Sequence, residues 1–385
     1  MKKIVLLHLF VATFAFAKAQ DIIDKPLIDT TKALSIEASY LGDLCSNAKG
    51  GIKTGVGYLG MANLRIGFST ESAKLWKGGN FFINGAATHG DTPSSKSIGD
   101  FQVASNIEAG NHIYLHEFWY KQTFSRFEFT VGLQDLNIDY IASENGGLFL
   151  NSSFGIPALI SSNIPVPIFP LTNLGISTKV NVSDAFAFQA ALFDGCPTDF
   201  TNNTYNTNWD VSSKDGAFVI SELQFTSSFK KLAGTYKAGY YYHTGHVQQL
   251  EDGSEQEVFE QNYGLYAIAD QQIWQSGSEK KSMSLFGQFA LSPKHINNLH
   301  YYFGGGLSFT GLINRIDNTI GLAIAHSRFH TPTVLNETAI ELFYKIQITQ
   351  NISIQPDFQY IINPMGYEQK LDNALVAIMR LGLNF

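Results

Sequence analysis

Cysteine is almost missing from this 385-residue chain, with only Cys45 and Cys196 present, which excludes a disulfide scaffold. In an oxidising envelope those two could still bridge each other. Beyond the first nineteen residues no apolar run approaches the roughly 20 residues a membrane-spanning helix needs. Basic charge is also scarce. Once residues 1–19 are set aside, 23 Lys and Arg face 33 Asp and Glu, a net charge of −10. Nucleic acid, which wants a basic footprint, is therefore not an expected partner. What the chain does have is Phe (30), Tyr (17) and Gly (34), at a mean hydropathy of −0.03. Such a chain is either a large soluble all-β protein or a barrel whose apolar residues alternate and never form a run.

The N-terminus reads as a secretory signal. Lys2 and Lys3 form a basic start, Ile4 to Ala17 an uncharged, largely apolar stretch, and Ala17-Lys18-Ala19 a small-residue cleavage site. The expected division is a signal peptide over 1–19 and a single barrel domain over 20–385, with cleavage at Ala19-Gln20.

Period-2 patterning recurs along the rest. Phe127, Phe129, Val131 and Leu133 fall opposite Arg126, Glu128, Thr130, Gly132 and Gln134. Leu342, Tyr344, Ile346 and Ile348 oppose Glu341, Phe343, Lys345 and Gln347. Ile352, Ile354, Pro356, Phe358 and Tyr360 oppose Ser353, Gln355, Asp357 and Gln359. A soluble sandwich alternates too, but these segments are long, about 10–14 residues against a usual 5–6. Aromatic content is high, as interface girdles demand. The last strand runs to Phe385, which resembles the aromatic assembly signal of Gram-negative outer-membrane barrels. Sixteen segments can be drawn, from 33–42 to 372–385, and include one over 126–138. Long connections (43–53, 91–109, 139–173, 195–215, 244–257) alternate with short ones, the rhythm of outer loops and periplasmic turns. The expected fold is thus an all-β, antiparallel transmembrane barrel of about 16 strands. Both cysteines fall on outer loops in this reading. Sixteen strands leave a water-filled lumen where about eight would be filled by their own side chains.

Three ordered stretches carry a family resemblance: Trp76-Lys77-Gly78-Gly79-Asn80-Phe81-Phe82, Gly147-Leu148-Phe149-Leu150-Asn151-Ser152-Ser153-Phe154-Gly155, and Gln355-Pro356-Asp357-Phe358-Gln359-Tyr360-Ile361-Ile362-Asn363-Pro364. They resemble the carbohydrate-selective porin family (OprB type) of bacterial outer membranes. The resemblance implies a sixteen-stranded porin that passes neutral sugars such as glucose by diffusion through a constriction of charged and polar residues. The alternatives are a general or anion-selective porin, and a barrel-borne surface enzyme or adhesin.

The loop 139–173 is too apolar to float in water, with Phe149, Phe154, Pro157, Pro165, Pro167 and Pro170, and is expected to fold into the lumen with Asn151, Ser152 and Ser153 facing the solute. Sugar hydroxyls want amides, carboxylates and guanidinium groups. By parity the lumen-facing candidates are Arg65, Asn84, Glu117, Arg126, Glu128, Lys179, Glu222, Lys237, Lys345, Asp357 and Arg380, although the strand around Glu117 mixes its signals. Other clusters fail. Asp135, Asn137 and Asp139 start like a calcium loop, but Tyr140 and Gly146 occupy the positions that need Gly and Glu. His89, Asp91, His112 and His116 have no spacing that assembles a nucleophile with a base and an orienting group. No cofactor, metal or catalytic residue is expected. The expected partners are small carbohydrates, outer-membrane lipid and the barrel-assembly machinery; homo-oligomerisation stays open.

Overall fold

A computed structural model describes residues 29–385 except 210, 250–254, 278–279, 313–317, 330–335 and 366–369. The expected signal peptide lies outside the described residues. In chain order the strands are β1 (Leu34–Gly51), β2 (Gly55–Ser69), β3 (Gly79–Gly90), β4 (His112–Phe124), β5 (Phe127–Gln134), β6 (Asn173–Asn181), β7 (Phe186–Asp194), β8 (Ala217–Phe229) and β9 (Leu232–His243). They continue with β10 (His246–Gln249), β11 (Glu255–Phe259), β12 (Asn262–Gln275), β13 (Ser282–Leu291), β14 (Leu299–Thr310), β15 (Thr319–Phe329), β16 (Asn336–Gln347), β17 (Ile352–Ile362) and β18 (Asp372–Asn384). Sixteen of them form one closed antiparallel barrel; β10 and β11 make a separate hairpin. Closure joins β1 to β18, pairing Ser39 with Asn384, and Phe385 donates its N–H to the Ala38 carbonyl at 2.8 Å. The closed barrel itself has no open edge strand.

The faces of the wall explain why a chain without apolar runs can cross a membrane. Along β12, Tyr263 and Leu265 point out and are exposed, while Asn262, Tyr266, Ile268 and Asp270 point in and are buried. The outer face is apolar around the ring, while the inner face mixes polar side chains with apolar ones such as Ile268, Phe286 and Phe343. Near the end with the short turns, aromatics form a girdle: Phe186 packs tilted against Phe225 at 4.7 Å, Phe225 stacks on Tyr236 at 6.1 Å, and Trp274 on Phe309 at 6.2 Å. Tight turns there need left-handed backbone, and Lys230 and Lys231 between β8 and β9 both have positive φ, 50° and 68°.

Two boundaries differ from the sequence expectation. Strand β1 continues through 43–51, so Cys45 is a buried wall residue rather than a loop residue, and both cysteines are free. Strand β5 stops at Gln134 because the Asp135 side chain accepts from the Asn137 N–H at 2.8 Å and starts a short helix. The upper part of β4 then lacks a neighbour on that side. The loop 195–216 fills the gap: the Leu115 N–H donates to the Tyr205 carbonyl at 3.0 Å, and Asn206 Nδ2 to the Leu115 carbonyl at 3.1 Å.

Candidate functional site

The segment 135–172 turns inward from β5 and carries three short helices, α1 (Leu136–Asp139), α2 (Ser152–Gly155) and α3 (Ala158–Asn163). Its apolar residues explain why it stays inside. Phe149 is 1% exposed and packs on Phe154 (5.0 Å), on Phe286 of β13 (5.5 Å) and edge-on to Phe343 of β16 (4.8 Å). Phe286 and Phe343 point into the barrel, so the inner wall offers this loop an apolar seat. A second inward segment, 91–111, joins it. Ser105 Oγ donates to Asp43 Oδ2 at 2.7 Å, and Gln359 Nε2 donates to the Ala104 carbonyl at 2.8 Å.

These two loops leave a cavity of about 380 Å³ between themselves and the wall of β2, β3 and β4. Asn63, Arg65, Asn84, His116 and Glu117 line it from the wall; Glu108, Asp135, Asn137, Ser143 and Ser153 face them from the loops. A bulge between Asn84 and Gly85, where β3 pairs with β4, puts His116 and Glu117 both on the inner side and accounts for the mixed signals of that strand. The surroundings of Glu117 hold it in place: Trp119 Nε1 donates to Oε1 at 3.1 Å and Asn84 Nδ2 to Oε2 at 3.3 Å. His116 Nε2 donates to Asp135 Oδ2 at 3.1 Å. Four buried polar atoms on this surface, Asn63 Oδ1, Asn84 Oδ1, His116 Nδ1 and Ser153 Oγ, have no protein hydrogen-bond partner among the described residues. Buried polar groups need partners, so the surface is set up to receive hydrogen bonds from whatever occupies the cavity. On loop 91–111, burial pushes the Glu108 carboxyl up to about 7 and that of Asp100 up to about 6.

Of the candidates chosen by parity, Arg65, Asn84 and Glu117 thus meet at one cavity. Other candidates are buried in the wall or where loop meets wall. Asn151 is fully buried; its N–H donates to Glu341 Oε2 at 2.9 Å and its Nδ2 to Gln359 Oε1 at 3.2 Å, so it does not face the solute. Glu222 accepts from the Ile141 N–H, Gln189 Nε2, Gln224 Nε2 and the Tyr266 hydroxyl at 2.7–3.0 Å. Asp357 is buried on β17, where Gln359 Nε2 donates to it at 3.1 Å. Arg380 grips Asp43 with two 2.7 Å bonds and reaches Asn106 Oδ1 at 2.8 Å. Lys237 donates to the Ala142 carbonyl at 2.6 Å, and Lys345 is buried on β16. Glu128 and Lys179 sit opposite each other on β5 and β6 near the short-turn end, outside the cavity lining. Arg126 is a correction: it stands in the two-residue turn between β4 and β5, exposed, with Nη1 on the Val182 carbonyl at 3.1 Å. Alternation continued one residue past the strand end placed it on the wall. His116, Asn63 and Glu108 line the cavity without having been chosen. Asn63 shares the parity of Arg65, which could have found it; His116 depends on the bulge, and Glu108 on the path of a loop.

Comparison with known proteins agrees with this architecture. Residues 54–385 match the family model described as carbohydrate-selective porin, OprB family. Porin B of Pseudomonas aeruginosa is 22% identical over 417 residues, covering 91% of this chain and 87% of the relative. Among solved structures, the high-pH form of Pseudomonas putida OprB superposes with a TM-score of 0.81 at 22% identity, covering 93% of this chain and 95% of that one. OmpT of Vibrio cholerae gives 0.52 at 10% identity, covering 91% and 97%.

Proposed function

This chain belongs to the carbohydrate-selective porin (OprB) family and is an outer-membrane barrel porin; from that premise we propose that it passes small neutral carbohydrates, glucose among them, by passive diffusion. The observation that carries the reading is the cavity surface beside β2–β4, where unpartnered acceptors at Asn63, Asn84 and His116 stand beside Arg65 and Glu117. Hydroxyls of a sugar both donate and accept, so they can replace water at every one of these atoms. A monovalent anion offers no donors, and it would meet Glu108, Glu117 and Asp135 against one arginine on the same surface. That balance favours a neutral polyol over the anion-selective alternative. Arg65, Asn84 and Glu117 are the proposed solute contacts, with His116 and Asn63 added; Glu128 and Lys179 are proposed to line the exit. The described contacts of Glu222, Asn151 and Arg380 support a role for these three in holding the loops. Phe385, exposed at the seam between β18 and β1, fits the proposed assembly signal. Contacts here are expected to be weak, because conduction requires release as readily as entry.

Single-channel recording in planar bilayers tests this directly. Glucose or maltose on one side should reduce potassium chloride current in a saturable way, and Glu117→Gln should weaken that block. Open channels whose current no sugar reduces would overturn the carbohydrate reading and leave a general porin.

A further inference from the structure

Away from the cavity at β2–β4, four inward-facing acids on β8, β12 and β16 turn their carboxylates toward main-chain N–H groups of the two infolded loops. Glu341 of β16 accepts from Leu150 N at 2.6 Å and Asn151 N at 2.9 Å. Asp270 of β12 accepts from Asn145 N at 2.9 Å, Asn145 Nδ2 at 3.0 Å and Ser143 Oγ at 2.8 Å. Glu222 of β8 takes Ile141 N at 3.0 Å. Glu337 of β16 takes Phe101 N, Gln102 N and Met365 N at 2.8, 2.9 and 2.6 Å. All four are buried, none exceeding 5% exposure, and none borders the cavity.

We infer that Glu222, Asp270, Glu337 and Glu341 are positioning residues that set the bore of the channel by tethering loops 91–111 and 135–172 to strands β8, β12 and β16. A carboxylate suits this task because it only accepts, with two oxygens that can serve neighbouring N–H groups, and its charge strengthens each bond. An amide of the same size would turn an NH2 donor toward a backbone donor and leave one of them without a partner. Away from these strands, the side of the lumen along β2–β4 keeps its cavity. These four acids therefore contribute more to the shape of the passage than to its charge. The inference rests on the porin reading but not on the sugar.

The test uses Glu341→Gln and Asp270→Asn, singly and together, with assembly checked by heat-modifiable migration. Conductance in potassium chloride and the size of polyethylene glycol excluded from the pore are then measured, with no sugar present. The double variant is expected to raise unitary conductance by roughly two-fold and to admit larger polymers. Rescue separates positioning from general destabilisation. Ser308 Oγ donates to Asn145 Oδ1 at 3.0 Å, so Asn145→Cys with Ser308→Cys can re-tether the loop. In a Cys45→Ala, Cys196→Ala background, oxidation should restore the parent conductance to the Asp270→Asn channel, and reduction should release it. Folded variants with parental conductance and size cut-off, or a disulfide without effect, would overturn the inference. Should the amide variants not assemble, Glu341→Asp keeps the charge but withdraws it by one methylene; parental behaviour there overturns it equally. Failure of sugar block in the parent channel would sink the carbohydrate reading alone.

Discussion

Arg380 illustrates how a residue's neighbours decide its role. Parity puts its guanidinium in the lumen, where a sugar channel wants a planar donor. In the folded chain both of its faces are taken: Asp43 receives two 2.7 Å bonds and Asn106 a third, of 2.8 Å. Asp43 is fully buried and also receives Ser105. Removing the arginine would leave that carboxylate enclosed with its countercharge gone, which costs about 3–5 kcal/mol when one partner of a buried pair is deleted. Arg380→Ala should therefore lower the denaturant midpoint or melting temperature of the barrel. Its sugar affinity should change less than that of Glu117→Gln. Differential scanning calorimetry beside sugar-block titration separates the two effects, and a variant with parental stability but lost block would return Arg380 to the solute path.

The inward loop shows what can and cannot be seen at the level of an element. Phe149 inserts between Phe154, Phe286 and Phe343, and emptying such a buried aromatic site costs about 3–5 kcal/mol. Phe149→Ala should spare the barrel, whose wall is closed by strand pairing, while the loop loses its seat. Open-channel current noise should rise and the loop's amides should exchange hydrogen faster, whereas β-strand protection stays unchanged. Equal protection of 135–172 in both proteins would refute that account. The strands themselves were legible because a two-residue period is local: it needs only neighbours in sequence. So β18, over Asp372–Asn384, emerges within a residue of the segment expected over 372–385. The extension of β1 was hidden because Asp43, Asn47 and Gly50-Gly51 have turn composition, and their wall positions are fixed by pairing with β18. The helix start at Asp135 hid the end of β5 in the same way. Sequence also showed that loop 139–173 is too apolar to stay outside. It could not show which wall would receive it, since that depends on Phe286 and Phe343, more than a hundred residues away. For this reason parity listed Glu222 and Glu117 as equals, although one holds the loop and the other borders the cavity.

For the molecule as a whole, charge and pH combine these levels. The chain is acidic overall, yet many inner carboxylates are enclosed between loop and wall, so net charge is a poor guide to ion selectivity. Lumen-facing groups govern that. Glu108 is the titratable group to follow, because it borders the cavity on loop 91–111 and burial raises its carboxyl to about 7; Asp100 on the same loop is raised to about 6. A buried acid raised above its unfolded value keeps its proton longer in the folded arrangement. The infolded loop is thus most favoured below the ordinary carboxyl range, about pH 4, and loses that advantage progressively as pH rises from there through about 7. Around pH 7 Glu108 gains its negative charge beside the passage. The cation-to-anion permeability ratio should therefore climb between pH 5.5 and pH 8.5, values chosen roughly one unit or more outside the transition. Reversal potentials under a salt gradient at low ionic strength, where screening is weakest, measure it. Glu108→Gln should flatten that climb while sugar block in the acid range survives. If the ratio rises as steeply without Glu108, the charge that controls ion flow lies elsewhere on the cavity surface, with Glu117 and Asp135 the next to be replaced.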